Sequence, residues 1–204
     1  MTTESNVDAR SALEPLTLAV AYAVDNHPQC FLGTAMLVEL ARLQGFELEP
    51  VAVSMAAQRR STGAVVVTGH LAHDYFVKAT GATVEPTMVG EPLNGSEFDN
   101  AGHIVAIDWE RNLLLDPTFG QFTKAGMPDL VPVIGIDPGE TEWLYPSPDD
   151  VNILYIHDAS NGGWRESYDA ASPTIRSVAA SIAAHLDAGG APHTHGHVFD
   201  PGSD

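Results

Sequence analysis

His27-Pro28-Gln29-Cys30-Phe31-Leu32-Gly33-Thr34-Ala35-Met36-Leu37-Val38-Glu39-Leu40-Ala41-Arg42-Leu43-Gln44-Gly45 is the stretch on which the fold turns. Proline disfavours helix in the residue before it, so Asp25-Asn26-His27-Pro28 breaks the chain and a helix starts between Pro28 and Cys30. Gly45 is placed to end it as a C-cap. Phe31, Leu32, Ala35, Met36, Leu37, Val38, Leu40, Ala41 and Leu43 cover most of its circumference. A helix apolar nearly all round is a buried, central one. Its first turn carries Cys30, the single cysteine among 204 residues.

Upstream, Leu13, Leu16, Ala19, Val20 and Ala23 follow helical spacing, which predicts a helix over 11–24 with Pro15 in its first turn. Residues 1–10 read as a flexible lead. Downstream, alternation predicts strands over 49–55 and 64–68, while 70–80 fits either a short helix or a strand. The stretch 81–102 has glycine, proline and asparagine punctuation with little periodicity, and unstructured stretches of that length are usually lids or flexible segments. A hairpin follows. His103, Val105, Ile107 and Trp109 alternate with Ile104, Ala106 and Asp108, Glu110-Arg111-Asn112 turn the chain, and Leu113 to Asp116 return. Further strands are expected over 130–136, 142–145 and 151–157, and a last helix over 172–186. The remainder, 187–204, is a flexible tail rich in Gly, Pro and His. Helices first and mostly antiparallel strands after them give an α+β domain over 11–186, its central buried Cys-bearing helix packed on the sheet.

The charge balance narrows the partners. Nine Lys+Arg against 27 Asp+Glu give a net charge of −18, which opposes nucleic acid and anionic membranes. One cysteine excludes an intrachain disulfide and any structural zinc site built on several cysteines. The polar, acidic N-terminus lacks a secretory pattern, and no apolar run reaches the roughly 20 residues of a spanning helix. A cytoplasmic protein with a reduced thiol is the expectation.

Cys30, His103 and Asp116 then stand out together. A thiolate is the nucleophilic form of cysteine, and a helix N-terminus and a neighbouring imidazolium both favour it. Free backbone N–H groups at the same place can serve as an oxyanion hole. In an antiparallel pair, opposed residues share a face. His103 and Asp116 therefore share one when paired residue numbers sum to an odd value, as in 103 with 116 or 103 with 118. An even sum separates them. An aspartate on that face would hold one imidazole nitrogen and leave the other to the thiol. Each residue also has an ordinary use: Cys30 as a small apolar core residue, His103 at a strand end, Asp116 initiating a turn before Pro117.

These pieces resemble the transglutaminase-like branch of the papain-like cysteine enzymes, a group that also includes arylamine N-acetyltransferases. The likeness covers about half the chain, from residue 28 to 122. It rests on Cys30 with its helix, the following 46–55 segment, Gly102-His103-Ile104-Val105-Ala106-Ile107 and Leu115-Asp116-Pro117-Thr118-Phe119-Gly120-Gln121-Phe122. The resemblance implies that Cys30 forms a thioester with an acyl donor, that His103 is general base and acid, and that Asp116 orients it. The substrate would be a peptide, a protein or a small acyl or amide compound, with no cofactor and no metal. The acetyltransferases usually carry Arg before the cysteine and Glu soon after; Gln29 and Phe31-Leu32 depart from that and do not support acetyl-CoA use. Gln29 and Asn26 are oxyanion-hole candidates through their side-chain amides, and Trp109 and Gln121 are candidates for a substrate groove.

Other groupings carry less. His193, His195 and His197 alternate in the tail and would chelate a metal only adventitiously. His70 and His73, with Asp74, offer an alternative base. Trp143 reads as core, and the acids of Asp137-Pro138-Gly139-Glu140 and Asp149-Asp150 as turns. A transglutaminase-like domain without activity, serving as a binding or scaffold module, is the alternative function. It would keep Cys30 buried and unreactive.

Overall fold

The computed structural model describes residues 3–24, 30–80, 87–88 and 102–192. Helices α1 (Thr3–Val24) and α2 (Cys30–Leu43) come first. Then follow β1 (Glu49–Arg59), β2 (Val65–Thr68), α3 (His70–Thr80), β3 (Thr87–Met88), β4 (His103–Asp108), β5 (Leu113–Leu115), a 3₁₀ turn (Phe119–Ala125), β6 (Val133–Gly135), β7 (Glu142–Pro146), β8 (Val151–His157) and α4 (Arg165–Asp187). One eight-stranded sheet runs through them. Its pairings among the described residues are antiparallel except for β2 with β3. The expected α+β class, helices on a mostly antiparallel sheet, is the class observed.

The helical layer is built on α2, which packs against α1, α4 and β4. Leu32, Ala35, Met36, Leu37, Leu40 and Ala41 join the apolar stripes of α1 and α4 and, from the sheet, Ala106, Leu113, Leu115 and Val133. The opposite side of the hairpin, with Val105, Ile107 and Leu114, packs with Val51, Val53, Met55, Phe119, Phe122, Ile153 and Tyr155. A third cluster joins α3, through Ala72, to Val65, Val67, Leu154 and Ile156. The expected glycine cap of α2 is present: Gly45 has φ +83°. Its N–H reaches Arg42 O at 3.2 Å, and Phe46 N–H reaches Ala41 O at 2.9 Å. That bond pair is a Schellman ending.

Several boundaries differ from the sequence reading, each for a packing reason. The flexible lead shrinks, because α1 begins at Thr3 and buried Ala9 extends the stripe of Leu13, Leu16 and Val20 by one turn. Pro15 consequently sits inside the helix. Burial of that stripe, at about 1.5–3 kcal/mol per large side chain, outweighs the roughly 3 kcal/mol local cost of an internal proline. Strand β1 runs past residue 55 to Arg59 because β8 and β2 both pair with its second half. The 130–136 strand shortens to Val133–Gly135, Pro132 having no N–H to give a ladder. Residues 70–80 are helical, Trp109 belongs to the hairpin turn, and α4 starts at Arg165. Within 81–102, β3 pairs with β2; most of that stretch, like residues 193–204, lies outside the described residues.

Candidate active site

The β4–β5 hairpin pairs Ala106 with Leu115, Ile107 with Leu114 and Asp108 with Leu113. Those numbers sum to 221, one of the two registers that put His103 and Asp116 on one face. The turn is fixed by buried Asp108, which accepts from Arg111 N at 3.0 Å, and by Asn112 at φ 56°. The consequence at the open end of the hairpin is direct: His103 Nε2 lies 2.8 Å from Asp116 Oδ2, and both residues are fully buried.

Asp116 is held by more than the histidine. Its Oδ2 also accepts from the Tyr155 hydroxyl at 2.9 Å. Its Oδ1 accepts from Thr118 N at 3.0 Å and from Thr118 Oγ1 at 3.3 Å. Asp116 thus initiates the turn before Pro117 and partners the histidine at once. With Nε2 taken, the Nδ1 side of the ring is left. Gln121 places its amide 3.2 Å from Nδ1, and Phe122 meets the ring edge-on at 5.4 Å between centroids. Cys30 is near enough to this imidazole to help raise its pKa, and it is half-buried, against complete burial for His103.

Two contacts set the cysteine's helix against the hairpin. Thr34, one turn after Cys30, donates from Oγ1 to Ile104 O at 2.8 Å. The carbonyl it bonds is that of the residue after His103, so the pin ties the cysteine's turn to the histidine's strand. Gly33 brings α2 against the Asp116 turn: a Cβ there would collide with the Thr118 methyl and lie 3.8 Å from the Pro117 ring.

Electrostatically the histidine is the distinctive group. Burial pushes its pKa down, but the Asp116 carboxylate, by charge and by hydrogen bond, and then Cys30 outweigh it, so the value is raised from 6.5 to about 10. An imidazole in that state is a cation at neutral pH, and a cation beside a thiol favours the thiolate. Tyr155 is raised well above 10, first by burial and then by Asp116, so it stays a neutral donor.

The remaining candidates are placed as follows. Asn26 and Gln29 lie outside the described residues. Gln121 adjoins the imidazole, but Trp109 does not: it sits past the far end of β4, donates to Glu49 at 2.7 Å, meets Trp143 edge-on and lies tilted against His157. Six residues of extended chain separate it from His103 by about 20 Å. His70 lies 3.6 Å from Asp158, and His73 lies 3.6 Å from Asp74, both on α3. Neither grouping includes the cysteine. Sequence reading missed Thr34, Gly33, Thr118 and Tyr155. The Asp-Pro-Thr spacing alone could have given Thr118, because Asp side chains commonly bond the backbone two residues on. Nothing local marks Tyr155, whose place depends on β8 pairing with β1.

No family model, curated protein or solved structure matches the chain.

Proposed function

We infer that the protein is a cysteine-nucleophile enzyme acting on an amide or acyl group, with Cys30, His103 and Asp116 as its triad. The observation that carries this reading is the buried His103–Asp116 hydrogen bond with Cys30 against the same ring. In the reaction, the Cys30 thiolate attacks the substrate carbonyl, and the C–S bond forms as the carbonyl oxygen takes the negative charge. The tetrahedral adduct collapses, the C–N or C–O bond breaks, and the His103 imidazolium gives its proton to the leaving group. Neutral His103 then takes a proton from water or an amine, which attacks the thioester and frees the thiol. Asp116 holds the ring through Nε2 in both halves of the cycle, so Nδ1 is the nitrogen that moves the proton. The N–H groups of the first turn of α2 are the donors nearest the developing oxyanion. Helix, hairpin and residue order together are similar to a transglutaminase-like core, which supports a peptidase, deamidase or acyltransferase reading of this fold.

The test is alkylation of the intact protein by iodoacetamide from pH 5 to 10, read by mass. The wild type is expected to label once and to lose that label in Cys30→Ala. His103→Ala is expected to slow the labelling at neutral pH and to change the shape of the pH profile. A profile unmoved by His103→Ala sinks the triad. An unreactive thiol in the folded wild type favours a binding or scaffold module instead.

A further inference from the structure

Behind the strand that carries His103, on the α3 side of the sheet, the strand register brings three buried polar residues into one neighbourhood. Ser54 Oγ, Asp158 Oδ2 and Asn161 Oδ1 are buried, and none has a hydrogen bond. Their closeness follows from the register. Ser54 pairs with Ile156, and Asp158 N bonds Ala52 O at 3.0 Å, so Ser54 and Asp158 are diagonal neighbours on one face. The β1–β4 pairing, continued by one residue, brings Gly102 opposite Ser54, and a Cβ on Gly102 would lie 2.9 Å from Asn161 Nδ2. Gly69, at φ +82°, approaches from the start of α3 so closely that a Cβ would strike Ser54 Oγ. Neither glycine could carry a side chain without displacing Ser54 or Asn161. A cavity of about 50 Å³ opens beside Asp158 and Asn161, with Glu49, His157 and Arg165 also lining it.

Asp158 poses the electrostatic problem. It is 2% exposed; among the described residues its Oδ1 accepts a side-chain hydrogen bond from Ser160 Oγ alone, at 2.6 Å, and its Oδ2 faces His70 Nδ1 at 3.6 Å, too long for a hydrogen bond. Buried carboxylates are ordinarily paired or coordinate a cation. The donor set is oxygen, with a single formal charge. Among the described residues no group of three His, Cys, Asp or Glu could hold a metal, which argues against a zinc, copper or nickel site. We propose that Asp158 Oδ2, Asn161 Oδ1 and Ser54 Oγ bind one small monovalent cation of the sodium or potassium kind. Bound there, the ion braces the strand entry at Gly102, whose carbonyl accepts from Thr68 Oγ1 at 3.1 Å, from the face opposite His103. Arg165, which lines the cavity, is the cationic group that competes with it, and Glu49 is the exposed acid that favours it.

Thermal unfolding of the full chain at pH 8 and one ionic strength, in sodium, potassium or tetramethylammonium chloride, tests this. Sodium or potassium is expected to raise Tm by about 2–4 °C over tetramethylammonium, which is too large to enter. The difference is expected to vanish in Asp158→Asn and in Ser54→Ala, the second removing only a hydroxyl and so guarding against a variant that does not fold. An Asp187→Asn control is expected to keep it. Equal Tm in the three salts means that water or a proton on Asp158 satisfies these oxygens, and overturns the proposal. A cation effect that survives both site variants overturns it too. Because the readout is stability, the outcome is independent of whether Cys30 is a nucleophile.

Discussion

At His103 two opposing effects meet, and their balance can be read from pH. Burial alone would neutralise the ring, yet Asp116 and Cys30 raise its pKa from 6.5 to about 10. The folded chain therefore holds this proton more tightly than the unfolded one. The stability it confers is complete below pH 6.5 and is lost as pH rises towards 10. Urea unfolding at intervals across that window is expected to show a fall that His103→Gln flattens; a parallel fall in His103→Gln would assign it elsewhere. Tyr155 provides a separate check. Its hydroxyl donates to Asp116 Oδ2, so Tyr155→Phe is expected to cost about 1–3 kcal/mol in the same unfolding assay. It should slow alkylation of Cys30 less than His103→Ala does, because Thr118 still holds Asp116. The meeting of His103 with Asp116 was legible in the sequence because strand parity puts both on one face, and Cys30 drew the eye as the single cysteine. Tyr155 and Thr34 were not, since a tyrosine in a strand and a threonine in a helix look the same whether or not they bond a distant partner.

Among the elements, the contact between α2 and the Asp116 turn decides how closely thiol and imidazole approach. Gly33 lies in a helix interior, where alanine would ordinarily add about 0.5–1 kcal/mol of stability. Here Gly33→Ala is expected to destabilise, because the new methyl meets Thr118 Cγ2, and Thr118 holds Asp116. Thr118→Ser keeps the hydroxyl and removes that methyl, so the double variant should recover most of the loss. A double-mutant cycle by chemical denaturation measures the coupling, and additive effects would show that the two do not meet. Hairpin geometry was legible because strand parity is strict: an odd pairing sum keeps the histidine and aspartate on one face, an even sum separates them, and the observed sum is 221. Helix starts were less so. Residues 3–10 and 165–171 are helical because neighbours bury the turns beside them, at Ala9 and Tyr168, and a sequence window cannot see that neighbour. The start of β6, by contrast, follows from Pro132 alone.

Over the whole molecule, the net charge of −18 surrounds a site whose own centre is a cation. The two fields act at different ranges. The imidazolium works over a few ångström and is buried, so salt screens it little; the acidic surface works over a Debye length, about 10 Å at 0.1 M, and salt removes it. Approach of a charged substrate should therefore follow the surface at low salt and the pocket at high salt. Cys30 can report this with paired thiol reagents, the cationic trimethylammonioethyl and the anionic sulfonatoethyl methanethiosulfonates, each rate divided by that for a free model thiol. At low ionic strength the cationic reagent is expected to be favoured by roughly tenfold, and at about 0.5 M the preference should fall to twofold or less. Such a result would make neutral or cationic amides and esters the natural class to screen, since an anionic acyl donor must climb the same field. An anionic preference at every ionic strength would mean that His103 governs approach as well as chemistry, and would move the screen to carboxylate-bearing donors.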